Sequence, residues 1–332
     1  DRWFYRLRHQ QNLPSVLPGL SFYADVARVS DATYPSDLVQ NVGTVVQQQF
    51  NQEVGVKHDI GNWHTFARVQ KFQTLEPNVP PFNRVPQLNL QYNDDTSLTD
   101  FIFKVEADAT GFEMPGTRSS VMPNGQRAFI KPELSYLYRT PGYFIIPKVS
   151  FDASIYDLQK PLNVAGPTRI ERSVPTISLD SGLVFERPAS EWSHLLGVPM
   201  TQTFEPRAFY VYTPFREQSE IPIFDSASTD FNLTKIFSEQ SFSGHDRIAD
   251  NSKVTLGITS RLFEENTGAE RAQFILAQRF DLDGQRVTMG STNTAAQSSY
   301  SDLLVGASVR LLPKVTLESA VDYNMQGGQL QS

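Results

Sequence analysis

The sequence has no cysteine, which excludes a disulfide scaffold, thiolate metal ligands and a cysteine nucleophile. It has no apolar run near the 18 residues that a membrane-crossing helix needs; Tyr143–Ile146 and Ala208–Tyr212 are among its most apolar stretches. Charge of neither sign dominates. The net charge is −7 over 332 residues and the pI about 5.3, so no nucleic-acid partner is expected. With 19 glycines and 21 prolines the chain is neither collagen-like nor of low complexity. Gly-x-Ser-x-Gly, His-Glu-x-x-His, the Walker loop and Gly-x-Gly-x-x-Gly are all missing, so no enzyme and no cofactor is expected. The start, Asp1-Arg2-Trp3-Phe4-Tyr5, lacks the basic and then apolar segments of a signal peptide, and 326–332 reads as an interrupted connection. A piece of a longer protein is expected. The averages, 39% hydrophobic, 20% charged and a mean hydropathy of −0.33, describe an ordinary soluble protein. The order of the residues does not.

What the sequence has is alternation of period two. Phe101, Phe103, Val105, Ala107 and Ala109 interleave with Ile102, Lys104, Glu106, Asp108 and Thr110. A strand sends alternate side chains to opposite faces, giving one apolar and one largely charged face, whereas a helix would mix the two sets. The pattern recurs at Ala128, Ile130, Pro132, Leu134, Tyr136 and Tyr138 against Lys131, Glu133, Ser135 and Arg139, and at Val149, Phe151, Ala153 and Ile155 against Lys148, Ser150, Asp152 and Ser154. Fourteen strands are expected, over 3–10, 19–30, 43–59, 63–75, 86–95, 99–112, 127–139, 143–157, 175–187, 201–213, 252–264, 270–282, 300–312 and 314–326, with no convincing helix.

The connections sort by parity. Odd-to-even links are mostly tight turns such as Ile60-Gly61-Asn62 and Thr140-Pro141-Gly142, with 11–18 and 188–200 the exceptions. Even-to-odd links are all long: 31–42, 76–85, 113–126, 158–174, 214–251 and 283–299. Strands of ten or more residues with one apolar face, short turns at one end and long loops at the other match an all-β, antiparallel up-and-down transmembrane β-barrel. A Greek-key sandwich has no reason to sort its loops in this way. Hydrocarbon offers backbone groups no partner, so a spanning sheet must close. Tyr136, Tyr138, Tyr143 and Phe144, beside a tight turn, suit an aromatic girdle at the membrane interface.

Alternation then nominates lumen-facing residues: Lys104, Glu106, Asp108, Lys131, Glu133, Arg139, Asp152, Glu205 and Arg207. Glu106 and Asp108 lie about 7 Å apart by strand rise, a spacing a glycosidase uses, but Lys104 shares their face, and a wet lumen explains them better. Arginine outnumbers lysine 20 to 9, with Arg68, Arg139, Arg207, Arg261, Arg279 and Arg310 inside expected strands, where guanidinium forks suit carboxylates across a wet wall or phosphorylated glycolipid. His58 and His64 flank one turn, but without a third ligand they make no metal site. Asp281-Leu282-Asp283-Gly284 lacks the remaining ligands of a calcium loop and reads as a turn. The 214–251 loop is long enough to imply function. It is expected to fold over or into the barrel, pinned by Asp246, Arg247, Asp250 and Asn251.

Two stretches carry more than pattern. Thr203-Phe204-Glu205-Pro206-Arg207-Ala208-Phe209-Tyr210-Val211-Tyr212-Thr213-Pro214-Phe215-Arg216-Glu217-Gln218 is one, and Phe242-Ser243-Gly244-His245-Asp246-Arg247-Ile248-Ala249-Asp250-Asn251, continuing to Val254–Arg261, is the other. Both resemble the barrel of the LptD family of lipopolysaccharide-assembly proteins; Val184-Phe185-Glu186-Arg187 and Glu270-Arg271 also sit where that family has similar residues. The likeness is specific over 180–280 and looser over the first 170 residues. It implies an outer-membrane translocon whose barrel has 26 strands, of which residues 1–332 would form a middle portion, without the N-terminal jellyroll or the closing strands. The partners it implies are lipopolysaccharide, the plug lipoprotein LptE, the periplasmic Lpt bridge, the barrel-assembly machinery during folding, and outer-membrane lipid. Fourteen strands closing on their own as a passive porin-like channel is the alternative.

Overall fold

The structure is a computed structural model that describes residues 2–35, 49–75, 79–94, 100–116, 122–229, 232–290, 301, 303–312, 315–324 and 329–331. The chain runs through β1 (Phe4–Asn12), β2 (Leu20–Val29), β3 (Gln49–Ile60), β4 (Trp63–Thr74), β5 (Asn83–Asn93), β6 (Phe101–Glu113), β7 (Gly125–Tyr136), β8 (Tyr138–Arg139), β9 (Tyr143–Leu158), β10 (Arg169–Leu183) and β11 (Phe185–Pro188). A short helix α1 (Ser190–Leu196) leads to β12 (Met200–Thr213), β13 (Ala227–Ser228), β14 (Phe242–Ser243), β15 (Asn251–Glu264), β16 (Glu270–Asp281), β17 (Leu303–Leu312), β18 (Val315–Asn324) and β19 (Gln329–Gln331). All the long strands join one antiparallel meander, each paired with the next, from β1–β2 to β18–β19. β8 and β11 continue β7 and β10 past breaks at Leu137 and Val184, and β13 with β14 forms a separate pair inside the 214–250 connection. Among the described residues no pairing joins β1 to β18 or β19, so this portion is an open sheet rather than a ring.

Three expectations change. The 188–200 link contains α1, which ends in Gly197 at φ 71°, the left-handed cap that closes a helix. Ala189, Met200 and Leu262 pack together beneath it. Strand β10 begins at Arg169 rather than 175, so Pro175 lies inside it, paired with Phe151 of β9. β12 joins β10 only from Ile177, so over Arg169–Thr176 the other edge is unpaired and a residue without an N–H is tolerated. Gln329–Gln331, expected within a connection, pairs with Asp322–Asn324. The expected turn at Pro313 and the stretch 43–48 lie outside the described residues. Pro206, for its part, falls where the β10 ladder breaks between Gly182↔Arg207 and Phe185↔Phe204, so its missing donor costs no sheet hydrogen bond on that edge.

The two faces differ as alternation requires. Phe101, Phe103, Val149, Phe151, Ile155, Ile177, Leu179, Leu256 and Ile258 are exposed on one face, with no second layer over them. A contiguous apolar surface of this kind marks contact with a partner or a membrane. Toward its short-turn end runs a row of rings: Trp63 against Tyr92 (4.8 Å), Tyr92 against Phe103 (6.2 Å), Phe101 against Tyr136 (4.8 Å) and Tyr138 against Tyr143 (5.7 Å). Phe144 does not join them. It is in register with Arg139 and Gly182, and its ring packs where a Cβ on Gly182 would stand, on the opposite face. That opposite face holds most of the buried residues, apart from Ala189, Met200 and Leu262 under α1, and it is covered by loops.

Candidate functional site

The dominant feature of the polar face is the 214–250 connection, which lies across it and is held at three places. The first is an ionic knot. Arg127 of β7 grips Asp225 with both terminal nitrogens (2.8 and 2.7 Å) and also donates from Nη1 to Asp246 (2.7 Å). Asp246 is fully buried, and it further accepts the Tyr156 hydroxyl (3.2 Å) and the backbone N–H groups of Phe224 (2.7 Å) and Asp225 (2.8 Å). Arg172 of β10 donates to Asp152 (3.2 Å), to Gln218 (3.0 Å) and to the carbonyls of His245 (2.7 Å) and Asp246 (2.9 Å). Above the knot, Phe224 stacks on Phe112 (4.3 Å) and meets Phe82 edge-on (4.9 Å).

The second hold is an insertion. Ile236 is fully buried against Ala277 and Leu304, with Leu233 and Phe237 packed around it. Arg279 of β16 donates to the carbonyls of Lys235 (3.0 Å), Ile236 and Ser238 (3.4 Å), while the Arg207 guanidinium lies 4.2 Å from the Phe237 ring centre. Gly257 makes room here, because a Cβ at that position would stand 2.6 Å from Phe237. The third hold is Glu239, bound by Lys148 (2.8 Å) and Ser178, beside Asn251, which donates to the Glu239 carbonyl (2.9 Å).

The nominated residues divide accordingly. Asp246 is the centre of the knot. Arg247 is buried, but its guanidinium donates to the Asp246 carbonyl (3.2 Å) and not to a carboxylate. Asp250 ties in the next connection by accepting the N–H groups of Arg286 (3.0 Å) and Val287 (2.8 Å). Asn251 acts through its neutral amide. Of the strand residues, Asp108 accepts Gln87 (2.7 Å) beside Arg127, Asp152 pairs with Arg172, and Glu106 lies 3.8 Å from His245. Lys131 pairs with Glu133 (2.7 Å), Glu205 with Arg261 (2.6 Å) and Arg207 with Asp180 (2.6 Å). Lys104 stands opposite Glu133 in register, and Arg139 lies over the Phe144 ring (5.9 Å); among the described residues neither hydrogen-bonds the loop.

Burial tunes the loop's ionisable groups. It pushes both knot carboxyls up, but at Asp225 the bidentate Arg127 contact overrides it and holds the group well below the usual carboxylate range. At Asp246 burial prevails, reinforced by the charge of Asp225. His245 stacks on Phe129 (3.8 Å between ring centres), and burial, with Arg127 nearby, lowers it to about 4.

Sequence reasoning missed Arg127, Tyr156, Arg172 and Asp225. Arg172 fell in an expected connection, and Arg127 stood at the first residue of an expected strand. The hint was their inward parity with the nominated Lys131 and with Asp152. His58 and His64 do not face each other: His58 is in register with Thr65, and His64 pairs with Asp59 (2.8 Å). Among the described residues no cluster of side chains is arranged to hold a metal ion. Gly284 donates its N–H to Asp281 (3.0 Å), closing the turn.

The chain matches the model of the family described as LPS transport system D, LptD, over residues 1–332. It is 44% identical over 326 residues to the LPS-assembly protein LptD of Cupriavidus metallidurans, covering 98% of this chain and 39% of that protein. It is 44% identical over 328 residues to the protein of that name from Ralstonia nicotianae (98% and 40%) and 39% identical over 334 residues to the one from Burkholderia lata (99% and 41%). The chain thus spans about two fifths of the length of these relatives.

Proposed function

Because the chain belongs to the LptD family, we propose that it is part of the wall of an outer-membrane β-barrel that moves lipopolysaccharide to the outer leaflet. The observation that carries this reading is the two-sided sheet: an exposed apolar face with a row of aromatic rings, and a polar face on which a loop is locked by buried charge. In a bilayer the apolar face meets lipid, the short turns lie on the periplasmic side and the long connections outside. The polar face then lines a wet lumen that includes Lys104 and Arg139, and in which Glu106, Asp108, Lys131, Glu133, Asp152, Glu205 and Arg207 meet one another, further wall residues or the loop. A phosphorylated glycolipid crosses such a lumen without covalent chemistry, and its movement is powered from elsewhere. On this reading residues 1–332 are one partial barrel domain, supplied through the periplasmic Lpt bridge, plugged by the lipoprotein LptE and inserted by the barrel-assembly machinery. Nothing in the comparisons favours a passive porin.

Photocrosslinking residues placed at Lys131, Glu205 and Arg207 of the full-length protein in growing cells test this. Adducts with lipopolysaccharide or a lipoprotein are expected from these positions and not from outward Phe103 or Leu179. Adducts with neither, from any polar-face position during active export, would overturn it.

A further inference from the structure

Where the apolar face ends, at the long-connection end of β12 and β15, the wall opens into a polar cleft of about 530 Å3. Tyr212 and Ser252, register partners with the outward parity of Leu256, form its side nearest the strands. Pro214 and Phe215, just past β12, and Asp283, Gly284 and Arg286, just past β16, complete it. The two connections are tied together. Asp250 accepts the N–H groups of Arg286 (3.0 Å) and Val287 (2.8 Å), and Gly284 turns the chain at φ 73°. The Arg286 guanidinium lies 4.0 Å from the Phe215 ring centre and meets Asp250 only through Nε, at 3.4 Å. Among the described residues its terminal nitrogens make no hydrogen bond, and the exposed Asp283 carboxylate has no ion-pair or hydrogen-bond partner. One cavity thus presents an open donor fork and an open acceptor that do not pair with each other.

We infer that this cleft binds a neutral pyranose sugar carried by a glycolipid of the outer leaflet. The inference rests on the barrel reading above, which puts the apolar face in lipid and this end of the sheet outside. The open groups select the ligand class. A phosphate suits Arg286 but meets two carboxylates, Asp250 and Asp283, and a cation meets the guanidinium. An apolar group strips water from both open groups and replaces none of their bonds. A vicinal diol has neither fault, because a hydroxyl accepts from a guanidinium and donates to a carboxylate. Tyr212, 42% exposed, adds a ring against which the C–H face of a pyranose packs, with its own hydroxyl as a further polar contact. Position selects the source. Tyr212 ends the outward row Ala208, Tyr210, Tyr212, whose register partners on β15 are Leu256, Val254 and Ser252. A lipid whose chains lie along that row carries its headgroup at the height of the cleft, so a sugar anchored in the leaflet reaches the site without leaving its layer.

The test uses the full-length protein in nanodiscs of phosphatidylethanolamine and phosphatidylglycerol, with a photoreactive benzophenone residue in place of Leu282, which is exposed next to the cleft. Lipopolysaccharide tritiated in its neutral core sugars is built into the discs. In a separate arm the same saccharide, released from its lipid, is added to the solution. A sugar adduct is expected with the anchored form. Arg286→Gln and Asp283→Asn should each lower it about ten-fold, the loss of one hydrogen bond to a charged group. Tyr212→Ala, across the cleft, should lower it as well. The amides of Arg286 and Val287 should stay protected from exchange in all three variants, because Asp250 holds the backbone there. An adduct indifferent to these substitutions, or displaced by inorganic phosphate, overturns the sugar site. An equal adduct from the released saccharide overturns the leaflet source. No sugar adduct at Leu282, while a benzophenone at outward Leu256 still captures disc phospholipid, overturns this inference and leaves the barrel reading standing. Lipid captured at neither position overturns both.

Discussion

Asp246→Ala is the substitution from which the loop's attachment can be measured. The wild-type carboxylate accepts four hydrogen bonds, from Arg127, Tyr156 and the N–H groups of Phe224 and Asp225, at a position with no solvent exposure. While the Tyr156 hydroxyl keeps the His245 carbonyl at 3.3 Å, alanine leaves two backbone donors without their acceptor, each costing about 1–3 kcal/mol when buried. It also takes one of two carboxylates from a buried guanidinium, and breaking a buried ion pair costs about 3–5 kcal/mol. These overlap rather than add, because Arg127 keeps Asp225 and water enters the gap, so about 3–5 kcal/mol is expected for local docking. Hydrogen exchange on the full-length protein reads this directly. Amides of 221–228 and 242–248 should exchange at least about 100-fold faster, while β7, β9 and β10 stay protected. Asp246→Asn, which keeps the shape and one acceptor oxygen, should give a smaller effect in the same amides. Unchanged protection of the Phe224 and Asp225 amides would refute the knot as the anchor. Loss of protection spreading equally into the strands would refute its independence from the sheet.

Arg247→Ala removes only a bond to a carbonyl, so its effect on the same amides should be near 1 kcal/mol, well below that of Asp246→Ala, and equal effects would reassign the anchor. Ile236→Ala empties a fully buried site between Ala277 and Leu304, so protection of 232–240 should fall by the equivalent of about 2–5 kcal/mol. Acid should loosen the loop through His245. The docked loop keeps it neutral down to about pH 4, whereas the released loop takes up a proton below about 6.5, so docking weakens progressively between those values, by about 3 kcal/mol at the lower end. His245 faces Arg127, Lys131, Asp108, Asp225 and Glu106, and a non-titrating His245→Gln variant should flatten the profile between pH 6.5 and 5 measured by limited proteolysis of the loop.

Much of the wall could be read from residue order because a strand's two faces are written in strict alternation. Parity alone groups Lys131, Glu133 and Asp152 on one face, and loop length sorts the two ends of the sheet. The strand boundaries that slipped did so for local reasons. Pro175 looked like the start of a strand because a proline normally marks an edge, and here the edge is one side of a strand already running from Arg169. The helix α1 was invisible because it has seven residues, too few for a periodic pattern. The knot was half legible. Asp246 stood out within a dense polar motif, but its partners Arg127, Tyr156 and Arg172 are 119, 90 and 74 positions away, and nothing local to any of them shows that the loop returns to that point of the sheet.

The three holds also differ in chemistry, and that limits what any one substitution can do. The knot depends on charge, the insertion on the apolar burial of Ile236 and on Arg279 bonds to backbone carbonyls that no side-chain change in the loop removes, and the third hold on the ion pair of Glu239 with Lys148. The knot and the insertion act on different wall strands, β7, β9 and β10 for the knot and β12, β15, β16 and β17 for the insertion, so these two share no partner, whereas Glu239 returns to β9 and β10. Sites without common partners contribute nearly independently. Loss of the knot then frees the two limbs of the loop that meet at β13 and β14, while 232–238 stays seated under Arg279. A loop built for stability alone would need no such division. One held by separable contacts can open at one end over the polar face and keep its other end in place, which is what the proposed passage of a bulky amphiphile would require of it.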